Sequence, residues 1–488
     1  MKHKIISEAP SIVWSSELTT SRLDATYYSA KFIYNENKLS KVKTKRLKEL
    51  LLKGNYGILP DSEDYLENNN NGNGIYLIRG TDLRDNFIEI NSLVTVPASY
   101  LTEKAKVENE DVLLLIKGVT LDKEWSVSIV NGLDKPAIFN GSIFRCKFNN
   151  EVDPYFMTIY MSTDYFLKQK SRAISNTGIY YNDLDMIHSF KVICPAPKIQ
   201  SYIGNKLRKA EELREEAKLL KEEAEKLFND YIDLNNDNSN FKGFKILNKS
   251  PFAVSVSVEN INERLTPNSY NEQYLSINSL KYEKGYLFTQ LQDIAEISSM
   301  IGWKNLTTKD YVKDNGVYLL RVQDIKDGYI NISEDTVQVS KEKVNEQPQI
   351  QLKVGDIVFS KDGSLGFAAV VSDNFYNIPL CTGSTLARIR LKKDINPYYL
   401  KLVLNSELIK AQISYFLSGI AQPHINQEYI KQLEIPLLNK DIEIEIGQKV
   451  QKYEINIMKS KKLIQEAKQD VEDLIEGKFN ESKVSEGV

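Results

Sequence analysis

Histidine and cysteine are scarce, three of each in 488 residues. His3, His188 and His424 stand far apart, and no cysteine or carboxylate accompanies them at ligand spacing, which argues against zinc-finger or histidine-based metal chemistry. Cys146, Cys194 and Cys381 form no CxxC pair, so they read as buried thiols of a cytoplasmic protein. No apolar run approaches the roughly 18 residues of a membrane span. The opening MKHKIISEAPSIVWSS lacks the continuous apolar stretch of a signal peptide. Excess charge is missing too: 63 Lys and Arg face 66 Asp and Glu. Residues 1–195 carry 24 of each sign, and residues 243–436 carry 21 of each. A uniformly basic coat is excluded, and any nucleic-acid surface must be a local patch with other faces left for protein partners. There is no Walker loop, no Gly-rich loop after a strand for a methionine-derived cofactor and no Ser nucleophile elbow.

What the chain does have is helix-forming sequence in two long stretches. Ile199 to Tyr231 is rich in Lys, Glu, Ala, Leu and Arg, with no Pro or Gly after Gly204. Its apolar positions, Ile203, Leu207, Ala210, Ala217, Leu220, Ala224 and Leu227, step mostly by three or four, with a slip where Leu213 falls one residue early. So narrow a stripe, charged on every other face, is a coiled-coil seam. At ~1.5 Å per residue the stretch makes a rod of about 45 Å. The closing stretch carries a cleaner heptad: Ile446, Val450, Tyr453, Ile457, Ser460, Ile464, Ala467, Val471 and Leu474.

The two stretches belong to a duplication with an offset near 242. Gly74-Ile-Tyr-Leu-Ile-Arg79 returns as Gly316-Val-Tyr-Leu-Leu-Arg321, and Asp82 as Asp324. Asp153-Pro-Tyr-Phe returns as Asn396-Pro-Tyr-Tyr, and Ile203-Gly-Asn-Lys as Ile446-Gly-Gln-Lys. Ser21-Arg22-Leu23 is matched by Glu263-Arg264-Leu265. The unit is a globular domain followed by a long helix, present twice. The expected layout is a first domain over 1–195, a central helix over 196–234, a linker at 235–243, a second domain over 244–437, a closing helix over 438–480 and a tail at 481–488. Equivalent copies place the two helices most simply antiparallel, with the globular domains at opposite ends.

Each domain reads as α+β. Short runs (IYLIRG, VLLLIKG, SVSIV; VYLLRV, DIVFS, FAAVVS, LARIRL) are separated by Gly, Asn and Asp turns and predict mostly antiparallel strands. Each set leads into a Pro-started helix, Pro154 to about Lys170 and Pro397 to about Phe416. The Asp/Asn-Pro-Tyr tetrapeptides are similar to the Asp/Asn-Pro-Pro-Tyr/Phe loop of adenine-N6 methyltransferases. Both lack the second Pro and no cofactor loop precedes them, so a helix start is the better reading. Asp293-Ile-Ala-Glu296 lacks the Lys of a nuclease carboxylate set. Hydrogen-bonding loops recur at matching places instead: Lys117-Gly-Val-Thr120 and Lys361-Asp-Gly-Ser364, then Asn176–Asn182 and Ser418–Asn426. Such side chains read base edges or hold phosphates. The candidate DNA contacts are Arg79, Asp82, Lys117, Thr120, Thr177, Tyr180 and Asn182 in the first copy. In the second they are Arg321, Gln323, Lys361, Asp362, Ser364, Gln422, His424 and Asn426.

The order of these motifs, their duplication and the helix positions together resemble the specificity subunit of type I restriction–modification systems. The residues that carry the resemblance are the Arg22-Leu-Asp-Ala-x-Tyr-Tyr opening, Tyr318-Leu-Leu-Arg-Val-Gln-Asp-Ile, and Gly355-Asp-Ile-Val-Phe-Ser-Lys-Asp-Gly-Ser-Leu-Gly. To these is added the exit Gly419…Ile425-Asn…Ile435-Pro into the helix near Ile446. The first copy departs from the pattern, with Lys117-Gly-Val-Thr-Leu lacking Gly-Ser-x-Gly. The resemblance implies a non-catalytic, DNA-binding subunit that reads a split asymmetric target, one half per domain, with the helix pair setting the spacer. It implies two methyltransferase subunits as partners, and motor-nuclease subunits beyond them. S-adenosylmethionine, ATP and magnesium would be held by those partners and none by this chain. Two other classes stay open on the residues alone: a coiled-coil adaptor with two protein-binding domains, and a self-contained adenine-N6 methyltransferase.

Overall fold

The computed structural model describes residues 25–66, 74–174, 180–232, 286–300, 306–326, 328–333, 335–416 and 424–486. They fall into two compact units, one drawn from Met1–Glu215 with Ile457–Val488, the other from Glu216–Asn456. Each unit thus holds one globular portion and a part of each long helix. The linker at 235–243, the two Arg-Leu matches and all of residues 244–285 lie outside the described residues.

A run of four apolar residues organises the first unit. Val112–Leu115 is buried throughout, because its alternate side chains enter two different cores. Val112 and Leu114 join the helices, whereas Leu113 and Leu115 pack with Ile78, Val130 and Phe139. The strand lies inside an antiparallel sheet ordered Leu51–Tyr56, Ile143–Phe148, Val112–Leu115, Val127–Ile129. The second unit repeats it as Ala295–Ser299, Leu386–Leu391, Ile357–Ser360, Ala368–Val370. There, too, Ile357 and Phe359 face the helices while Val358 faces away.

A smaller sheet in each unit adds what the strand runs did not suggest, one parallel pair. Gly74–Ile78 lies antiparallel to Val94–Pro97 and parallel to Ala137–Phe139. Val317–Leu320 lies antiparallel to Gln338–Val339 and parallel to Leu380–Thr382. Between the two parallel strands the chain passes through the principal sheet, a crossover no tight hairpin allows.

The single Pro-started helix expected in each copy is two helices. Pro154–Met161 and Asp164–Arg172 are separated at Ser162-Thr163, whose hydroxyls donate back to the carbonyls of Ile159 and Tyr160 at 2.9 and 2.7 Å. Pro397–Asn405 and Glu407–Phe416 break at Ser406, which donates to Val403 at 2.6 Å. Serine and threonine compete with the helix ladder in this way. Asp153 and Asn396 cap the two Pro-started helices, each side-chain oxygen accepting from the next two aromatic amides. The tetrapeptides that resemble a methyltransferase loop are therefore helix caps.

The repeated glycine of Ile-Gly-x-Lys serves these caps. A Cβ on Gly204 would stand 3.0 Å from the Asp153 carboxylate, and one on Gly447 would stand 2.3 Å from the Asn396 side chain. Arg208 also donates to Asp153 at 2.9 and 3.0 Å.

The long helices are Pro197–Tyr231 and Lys440–Glu476. Within the first unit Ile203, Leu207 and Ala210 are buried with Ile464, Ala467, Val471 and Ile475. Lys206 bonds Asp470 at 2.6 Å and Arg214 bonds Ser460 at 3.3 Å. Within the second unit Ala224 and Phe228 are buried with Ile446 and Val450. Lys449 bonds Glu223 at 2.6 Å and Asn456 bonds Glu216 at 2.9 Å. In both units partner numbers fall as residue numbers rise, so the helices run antiparallel. Ala217 and Tyr453 are buried as the seam requires, but Leu220, Leu227, Ile457 and Leu474 are half-buried. Phe228 and Ile475, one residue on from Leu227 and Leu474, take the inner places.

Candidate nucleic-acid interface

In the first unit the chain leaves Val112–Leu115 and meets the segment 180–182 edge to edge. The Asn182 amide donates to the Ile116 carbonyl at 2.9 Å, and the Gly118 amide donates to Tyr180 at 2.9 Å. Between these bonds Lys117 and Tyr181 form an antiparallel bridge. The chain then turns at Gly118, whose φ of +113° is a conformation side chains rarely adopt. Lys117, Val119, Tyr180 and Tyr181 are exposed on this corner, and Thr120 is half-buried. Beside it lies a hollow of about 400 Å³ lined by Tyr56, Lys117, Tyr181, Asn182 and Asp183 among others.

Asn182 plays a different part from its neighbours. Its side chain is buried and donates to the Lys170 carbonyl at 2.9 Å, so it ties the loop to the helix beneath. Lys170 is itself fully buried, its ammonium donating to Ser126 at 2.8 Å, and burial pulls its pKa down to about 7. Thr177 lies outside the described residues.

The second unit builds the same corner from different side chains. The Ile425 amide donates to Lys361 at 3.0 Å, Asp362 and His424 form the antiparallel bridge, and Gly363 turns the chain at φ +74°. The equivalence is set by backbone: Asp362 stands where Lys117 stands, and His424 where Tyr181 stands. Asp362 lies between two basic side chains, with Lys361 Nζ 3.1 Å from one carboxylate oxygen and His424 Nδ1 3.4 Å from the other. Ser364 is exposed, as is Phe367, whose amide donates to Ser360 at 2.8 Å. Asn426 is exposed and caps Gln427–Lys431 by accepting from the Glu428 amide at 3.2 Å. Gln422 lies outside the described residues.

Arg79, Asp82 and Arg321 are placed elsewhere, in a repeated internal bracket. Asp82 is wholly buried and accepts from the Arg79 amide at 2.8 Å, from its guanidinium at 3.0 and 3.1 Å, and from Ser92 at 2.9 Å. The carboxylate raises the pKa of Arg79 further. Arg321 repeats the pattern with Asp324, and Thr336 takes the place of Ser92. These groups already hold the turn between two strands, which leaves them little freedom to meet a ligand. Gln323, inside the same turn, is exposed. The bracket was legible as a repeated Arg-x-x-Asp, but nothing in that spacing separates a structural pair from a reading pair. Phe367 could not be singled out in the sequence, because an aromatic opening an apolar run reads as core.

The geometry defines a class: two copies of one α+β scaffold, each presenting a Gly-turned corner with its own exposed chemistry, joined to an antiparallel helix pair. A family model for the type I restriction modification DNA specificity domain matches residues 283–469. The type I restriction enzyme MjaVIII specificity subunit of Methanocaldococcus jannaschii is 22% identical over 386 residues, covering 77% of this chain and 80% of the relative. Among solved structures, the S subunit of the M. genitalium type-I restriction-modification system is 14% identical, with a TM-score of 0.43 over 90% of this chain and 96% of that one. The HsdS subunit from Thermoanaerobacter tengcongensis is 13% identical, with a TM-score of 0.29 over 90% and 97%. These matches make the chain similar to type I restriction–modification specificity subunits. These subunits are non-catalytic.

Proposed function

We propose that this chain is the DNA-recognition subunit of a type I restriction–modification complex and reads a bipartite, asymmetric target, one half-site per unit. The observation that carries this reading is the recurrence of one corner with exchanged chemistry. Lys117 and Tyr181 occupy the backbone positions that Asp362 and His424 occupy in the second unit. A shared scaffold with unlike side chains at its exposed turn is what two different half-sites require, because base edges are told apart by donor and acceptor patterns. Lys117, Tyr180 and Tyr181 are the reading side chains of the first unit. Asp362, Ser364, His424 and Asn426 are those of the second, with Thr120 and Gln323 near the rims. The antiparallel helices serve as the ruler for the unread spacer, and their remaining faces receive methyltransferase subunits, two in number. Motor-nuclease subunits join beyond these. S-adenosylmethionine, ATP and magnesium are used by the partners, and the complex works in the cytoplasm.

The test is single-molecule sequencing of methylated adenines in DNA from cells expressing this chain with its methyltransferase partner. The expected result is a split motif with a fixed spacer and one modified adenine in each half. A short continuous motif would remove the two-reader assignment. No methylation by an assembled and otherwise active complex would remove DNA recognition altogether.

A further inference from the structure

Residues 41–49 of the first unit, Lys-Val-Lys-Thr-Lys-Arg-Leu-Lys-Glu, hold five cations and a single acid, Glu49, in a chain with almost no net charge. Thr44–Arg46 is a strand at the edge of the unit and Leu47–Leu50 a short turn of helix after it. Lys45 is neutralised by Glu151. Lys41, Lys43, Arg46 and Lys48 are exposed, and none makes an ion pair among the described residues. Four unpaired cations within eight residues form a local concentration of positive charge, although Glu49 and Asp185 stand close by.

The strip adjoins the reading corner. Tyr181 is followed by the helix Leu184–Ser189, where burial and then the charge of Lys48 depress the pKa of His188. The Leu47 amide donates to Phe190 at 2.8 Å, which fixes the strip against the end of the same helix. Phe144 contacts both His188 and Tyr56, and Tyr56 lines the hollow with Lys117 and Tyr181. Six residues at ~1.5 Å each make this helix about 9 Å long, with the corner leading into its start and the strip held at its end. That length is about three phosphates along one strand of a duplex.

The second unit lacks the charge. Its equivalent strand and turn, Phe288–Gln290 and Leu291–Ile294, occupy the same place in the fold, paired with Glu434–Pro436 as Thr44–Arg46 is with Lys191–Ile193. There Leu287, Gln290 and Gln292 stand where the first unit has Lys43, Arg46 and Lys48. Two identical protein partners docking on two equivalent units would need the same chemistry on both. A strip found in one unit alone fits an asymmetric polyanion.

We propose that Lys41, Lys43, Arg46 and Lys48 form a phosphate-binding track that holds the DNA backbone flanking the half-site read by the first unit. This rests on the DNA-recognition reading above. The track adds affinity and not sequence preference, since phosphate contacts position a protein without distinguishing bases.

The test uses the full chain assembled with its methyltransferase partner, and a duplex containing the recognised target. Binding is measured between about 50 and 200 mM salt for the unaltered complex and for the variant with Lys41, Lys43, Arg46 and Lys48 all changed to Gln. Each phosphate that the protein no longer neutralises should lower the slope of log affinity against log salt by about 0.9. The expected result is a slope smaller by about 3.6, with the methylated motif unchanged. Lys48→Gln and Arg46→Gln alone, each expected to lower it by about 1, serve if the fourfold variant does not assemble. An unchanged slope overturns the proposal, as does a variant whose defect is weaker capture of the methyltransferase. A complex that binds no target even unaltered removes the recognition reading itself, which separates the two failures.

Discussion

Among single residues, Lys170 stands out because its charge is held where water does not reach. Its ammonium donates to the Ser126 hydroxyl, and burial brings its pKa from the ordinary 10.5 to about 7. Between these values the unfolded chain carries a proton on this group that the folded chain lacks. Stability therefore rises with pH from about 7 towards 10.5, and below 7 the folded state bears the buried charge in full. Lys170→Met removes the group and keeps most of its volume. Urea unfolding of the variant should show a shallower dependence on pH between 7 and 8.5 than the unaltered chain, and a higher midpoint at pH 7. Equal slopes would mean that the ammonium is solvated in the folded state. The other titrating groups are common to both proteins, so they cancel from the comparison. The lysine was not legible as a core residue in the sequence: Lys168, Lys170 and Arg172 alternate on one short helix, and only packing decides which of them turns inward. The expectation of buried thiols holds for two of the three cysteines, and Cys194 is only half-buried. Cys146 and Cys381 are buried, and desolvation pushes Cys381 up to about 12.

At the scale of elements, what could be read in advance was whatever depends on local pattern. The two seams, the Pro-started helices and the four-residue apolar strands follow from spacing and composition. The pairing of Gly74–Ile78 with Ala137–Phe139 does not, because a parallel partner some sixty residues on leaves no local mark. Nor did the heptad show that Phe228 and Ile475, and not Leu227 and Leu474, would close the seam. The glycine of Ile-Gly-x-Lys was visible as a repeat but not explicable, since the cap it meets lies far back along the chain and is its neighbour only in space. That neighbour gives a test. Alanine is favoured over glycine inside a helix by ~1 kcal/mol. Against this, a methyl on Gly447 must displace Asn396, whose side chain accepts from the Tyr398 and Tyr399 amides. Losing the cap costs ~1 kcal/mol, and overpacking a further ~1–3 kcal/mol. Gly447→Ala should therefore destabilise the protein by ~1–3 kcal/mol, whereas Gly204→Ala, with its closest approach at 3.0 Å, should be near neutral. In the double variant with Asn396→Ala the penalties should add to less than their sum, because the clash is gone. Strict additivity in chemical denaturation would show that the two residues do not press on each other.

At the scale of the molecule, the proposed function depends on what the two helices keep constant. Their bonds pair Glu216 with Asn456 and Glu223 with Lys449, so residues near 216 and 456 face each other. Those positions also fall where one compact unit ends and the other begins. A heptad added to one helix alone would slide every later pairing, and so would insertions at Ala217 and Ile464, which are not opposite. Insertions after Glu215 and after Asn456 lengthen both helices together and preserve each seam, since seven residues leave the helix face turned by only about 20°. The packing inside each unit is then untouched, including the corners at Lys117 and Asp362. If the helices act as a ruler, the lengthened chain should direct methylation to sites with a longer spacer and with both half-site sequences unchanged. Sequencing of methylated adenines reads both properties at once. A changed half-site would mean that the insertion had disturbed a reading corner. An unchanged spacer would mean that separation between half-sites is set by the partner subunits and not by this chain.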